Sequence, residues 1–78
     1  MAIPASAPRI GDLSETERTA LVSAAVWYAK YHEGMIAGLA DDRSAHATAE
    51  RERYQELYDA LAKLGVRLHR PAGIRPAA

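Results

Sequence analysis

The chain has no cysteine, which excludes disulfides, thiolate zinc sites and thiol catalysis together. It has no surplus of charge: ten basic and ten acidic side chains cancel, so no global field draws it to nucleic acid or an anionic membrane. It also lacks a clean membrane span. The most apolar stretch, residues 20–40, carries Lys30, His32 and Glu33 at its centre, where each charge would be costly in a bilayer. The opening MAIPASAPRIG has no basic region followed by an apolar one, so no secretory signal is read there. These features predict a soluble, cytoplasmic protein with no membrane partner.

Sequence patterns that name a reaction are missing too. There is no HExxH, and the Glu-x-x-His spacing of carboxylate di-iron bundles fails because Ala29 stands three residues before His32 and Arg43 three before His46. No glycine loop cradles phosphate, no nucleophile has a matched base, and no repeat of solenoid length occurs. Seventy-eight residues make one small domain whose own core would be marginal. Without disulfides, self-association is the natural supplement.

What is present is helical periodicity. In DLSETERTAL, Ser14 and Glu17 form a capping box, and Asp12 with Glu15 offers the same arrangement two residues earlier. Beyond it, Leu21, Ala25, Tyr28, His32, Met35 and Leu39 alternate spacings of four and three, which predicts a helix from Glu15 to about Leu39. Val22, Ala29 and Ile36 flank this seam on one side, Ala24 and Tyr31 on the other. LADDRSAH interrupts it, with Asp41 or Asp42 as the expected cap of a second helix from about Arg43 to Leu64, ended by a C-prime glycine at Gly65. Ala47, Tyr54, Leu57, Leu61 and Leu64 form its apolar face, and the charged remainder of RERYQELYDALAK reads as solvated.

The expected fold is all-α: an antiparallel two-helix hairpin over residues 12–65, flanked by a flexible N-terminal segment over 1–11 and a flexible, basic, Pro/Gly-containing tail over 66–78. A hairpin cannot cover both sides of its own apolar stripe, so two copies are expected to form a four-helix bundle.

The polar residues inside these stripes are the candidate site. Counting outward from the turn sets His32 opposite Glu50, with His46 one turn away. As a structural pair, His32 and Glu50 would fix helix register. As an alternative, His32, His46 and Glu50 would ligate a divalent metal such as zinc or iron. Were the chain an enzyme, His32, Glu50 and Tyr54 would be the acid–base candidates. The first reading requires neither catalysis nor a cofactor.

Trp27, Tyr31, Gly34 and Gly38 line a second edge of the first helix, where an aromatic beside small residues suits a protein contact. In the tail, Arg67, His69, Arg70 and Arg75 could bind anions, nucleic acid included, or an acidic groove on another protein. The function expected is that of a small self-associating adaptor that also binds another protein, with metal binding and nucleic-acid accessory roles as alternatives.

Overall fold

A computed structural model describes residues 10–77, so the first nine positions of the expected flexible segment lie outside the described residues. The regular structure of the described residues is entirely helical. A 3-10 turn at Ile10–Asp12 leads into three α-helices, α1 (Glu15–Tyr31), α2 (Glu33–Gly38) and α3 (Ala45–Lys63). Among the described residues no helix is long and apolar enough to cross a membrane.

Helix α1 starts as its sequence dictates. Ser14 Oγ accepts from the Glu17 amide at 3.1 Å, and the Glu17 carboxylate accepts from the Ser14 amide at 2.8 Å. The hydrogen bond from the Ser14 backbone holds the Glu17 carboxyl below its ordinary value, helped by the Ser14 side chain.

The end of α1 differs from expectation, because the helix stops at Tyr31 instead of running to about Leu39. The Tyr28 carbonyl accepts both the His32 amide at 3.1 Å and His32 Nδ1 at 2.8 Å. A side chain competing for a ladder carbonyl bends a helix, and His32 accordingly sits at φ −96°, ψ 5° between α1 and α2. The helical path resumes at once, since the Ile36 amide still bonds the His32 carbonyl at 2.9 Å.

The cap of α3 is also corrected. Ser44, not Asp41 or Asp42, holds the N-cap position, its Oγ accepting from the Ala47 amide at 3.1 Å. Asp42 acts one step earlier by accepting the Ser44 amide at 2.9 Å, the bond that lowers its carboxyl pKa. Serine combines a short hydroxyl with the extended backbone that an N-cap needs, and the aspartate orders the turn before it.

At the other end, Gly65 (φ 86°) donates to Ala62 O at 3.0 Å and Val66 donates to Leu61 O at 2.9 Å. This pair of bonds is a Schellman motif, and glycine adopts its left-handed residue without steric cost.

The packing face of the α1–α2 path is rotated from the seam that periodicity suggests. Ala29 and Ile36 are fully buried, in one apolar cluster with Tyr54 and Tyr58 of α3, whereas Leu21, Tyr28 and Met35 are about half exposed. Ala29 is small enough for the helices to approach closely, so the flanking residues of the expected seam became its centre.

The largest departure is the C-terminal segment. It has no regular structure after Lys63, as expected, but it is not a free tail. Pro71 is buried, Ile74 is 7% exposed and joins the Ala29–Ile36–Tyr54–Tyr58 cluster, and Leu68 packs against it. Residues 66–77 form a strap over α3, and the apolar area that Ile74 buries helps to hold it there.

Candidate functional site

The polar seam is built differently from its expected form. His32 is half-buried, and its ring lies among three tyrosines, with centroids 4.2 Å from Tyr28, 5.1 Å from Tyr31 and 6.2 Å from Tyr54. Glu50, its expected partner, forms an ion pair with Arg53 on its own helix. His46 is exposed in the first turn of α3, and no three His, Asp or Glu side chains among the described residues lie close enough to hold a metal. The proposed ligand set is therefore not brought together within one chain.

Tyr54 is the most perturbed group in this region. Burial, then a hydrogen bond with Tyr28, then the nearby charges of Tyr28 and Glu50 push its phenol up to about 12. At neutral pH it is a hydrogen-bonding aromatic, not a base. A shallow cleft of about 330 Å³ lies beside it, lined by Ala25, Tyr28, Glu50, Arg53, Tyr54 and Leu57.

Next to that cleft, α1 and α3 leave a groove of about 170 Å³ lined by Leu13, Leu21, Val22, Ala25, Leu57, Ala60, Leu61 and Leu64, with Arg18 the one charged neighbour. Leu21, Tyr28 and Met35 continue along the same side of the helical path at intervals of seven. Trp27 and Tyr31 stand beside them, 64% and 71% exposed, with rings stacked at 5.0 Å and 12°. A Cβ added to Gly34 or Gly38 would meet nothing within 4 Å among the described residues. The four residues Trp27, Tyr31, Gly34 and Gly38 are thus on the surface together.

The basic tail is largely engaged. Arg70 forms an ion pair with Asp59 at 2.6 Å and also donates to the Arg75 carbonyl, while the Arg75 side chain reaches Glu52 at 3.4 Å. Arg67 and His69 are exposed. Two of the four expected anion donors are committed to acids of α3.

Pattern reading missed three residues that organise this side. Gln55 is 5% exposed, and its side-chain amide accepts the Arg75 N–H at 2.8 Å and donates to the Arg75 carbonyl at 3.1 Å. Asp59 is held below its ordinary value first by the Arg70 hydrogen bond. Arg51 donates to the carbonyl oxygens of Leu39 and Asp42, tying α3 to the turn before it. The face that reads as solvated in the sequence lies partly under the strap. The signal was faint: Leu68 and Ile74 are isolated aliphatic residues in a tail broken by Pro71, Gly73 and Pro76.

The chain matches no protein-family model, and comparison with curated proteins and with solved structures finds no match.

Proposed function

We propose that the chain is a self-associating helical interaction module whose α1 and α3 form an antiparallel hairpin, two copies pairing into a four-helix bundle. The observation that carries this reading is the apolar groove between α1 and α3, continuous with the exposed row Leu21–Tyr28–Met35 and flanked by Trp27 and Tyr31. At about 100° per residue, Gln55 under the strap and Leu64 at the groove lie on opposite sides of α3. One side of the helix layer is covered by the chain itself, and the other is left for a second copy.

Self-complementarity favours a second copy as the occupant. The groove lies along the first half of α1, and the aromatic ridge lies along its second half. A two-fold axis between them would set the ridge of each copy into the groove of the other, an isologous contact that closes on itself. A chain of 8.5 kDa whose largest fully buried side chain is Ile36 also has most to gain from burying this area. The module brings partners together and carries no chemistry of its own.

Charge placed in the groove is the test. Leu21→Glu should turn an associating protein into a monomer with its helical circular dichroism retained. Unchanged association in this variant would remove the groove from the interface.

A further inference from the structure

On the side of α3 away from the groove, three residues spaced by three and four form a ladder: Glu52, Gln55 and Asp59. Each rung meets a different part of the strap. Gln55 bonds both the N–H and the C=O of Arg75, Asp59 holds the Arg70 guanidinium, and Glu52 faces that of Arg75. An amide side chain that takes up both main-chain groups of one residue reads an extended backbone, and flanking acids read its arginines. Ile74 supplies the main apolar anchor, with Pro71 buried and Leu68 packed on the same cluster, and Gly73 (φ 91°) crosses so close to Ala40 that a Cβ would stand 3.2 Å from its backbone.

These are the features of a bound peptide more than those of a core element. Among its own main-chain groups, the strap has a single turn bond, from the Ile74 amide to Pro71 O at 3.1 Å. It is packed loosely at its edges, with clefts of about 470 and 390 Å³ that both touch Ala62, Arg67 and Pro76. Segments with few apolar contacts, no regular secondary structure, an exposed ion pair such as Arg75–Glu52 and open flanks belong to the low-stability end of a fold.

We propose that the Glu52–Gln55–Asp59 face, with the apolar slot that receives Ile74, is a docking site for an extended segment bearing an aliphatic residue followed by arginine. Residues 70–77 of the same chain occupy it as a detachable ligand. The strap opens while α1 and α3 remain folded, and an arginine-bearing segment of the same pattern supplied from outside competes for the site.

Hydrogen exchange on the unaltered full chain is the first test. The Ile74 and Arg75 amides are both hydrogen-bonded, so their protection reports opening. Protection roughly tenfold or more below that of the Tyr58 and Leu61 amides is expected. Equal protection would overturn the proposal, because strap and helices would then open as one unit.

The second test uses the full chain carrying Ile74→Asp, which removes the anchor and leaves the ladder intact, with a synthetic peptide of residues 66–78 as the probe. Retained helical signal and peptide binding roughly a hundredfold tighter than to the unaltered protein are expected, since the tethered strap competes at millimolar effective concentration. No peptide binding to the folded variant would overturn the proposal. Loss of its helical signal would also count against it, because a detachable ligand leaves its receptor folded.

Discussion

The Nδ1–H of His32 donates to the carbonyl of Tyr28, 2.8 Å away on the same helical path, and not to Glu50 across the interhelical space. Because a carbonyl only accepts, the neutral ring must carry its proton on Nδ1. Glu50 is separately engaged with Arg53. Energetic coupling between the two positions is therefore expected to be small: a double-mutant cycle with His32→Leu and Glu50→Leu, read by denaturant unfolding, should give less than about 0.5 kcal/mol. Coupling above that value would mean that they act as a pair.

The capping box of α1 gives a local stability prediction. Ser14→Ala removes the acceptor for the Glu17 amide, and about 1 kcal/mol of unfolding free energy should be lost. Chemical denaturation with an unchanged slope is the check.

Two glycines should respond in opposite ways to alanine. Gly73 has φ 91° and lies against the Ala40 backbone, so Gly73→Ala should destabilise by more than about 1 kcal/mol. Gly34 sits in α2 with open space around its missing side chain, so Gly34→Ala should leave a monomeric background unchanged or raise its stability by about 0.5 kcal/mol. Thermal melts of both variants, made in the Leu21→Glu background to keep association out of the comparison, test the contrast.

The acid and alkaline limits follow from two shifted groups. The Asp59 carboxyl is lowered from 3.8 in the folded state, so its contribution to holding the strap is fully present above 3.8 and is lost as pH falls through its folded value. The Tyr54 phenol is raised from 10.0 to about 12, so its contribution is present below 10.0 and is lost as pH rises toward 12. Burial also raises the Tyr58 phenol, so phenolate absorbance should show two tyrosines titrating late, and Tyr54→Phe should remove one of them.

The start of α1, the stop at Gly65 and the all-helical character are legible because each rests on local chemistry: a serine three residues before a glutamate, a glycine after a lysine, a period near 3.6. The packing face of α1 is not. Leu21, Trp27, Tyr28 and Tyr31 of α1, with Met35 and Ile36 of α2, spread apolar side chains over much of the circumference of the helical path, so periodicity alone cannot decide which part meets α3. The buried Ala29 marks the face that packs, and a small side chain weighs little in a hydropathy pattern. The polar site was misread for a related reason. His32 has a partner four residues earlier, the Tyr28 carbonyl in the last turn of α1, which cross-helix counting overlooks. The strap was invisible because Gln55 binds the backbone of Arg75, and a main-chain partner leaves no mark on side-chain composition.

Sedimentation equilibrium of the untagged full chain across a dilution series tests the central claim most directly. A particle of twice 8.5 kDa at micromolar concentration is predicted, dissociating on dilution and reduced to a monomer by Leu21→Glu. A folded monomer of 8.5 kDa throughout the series would contradict the account.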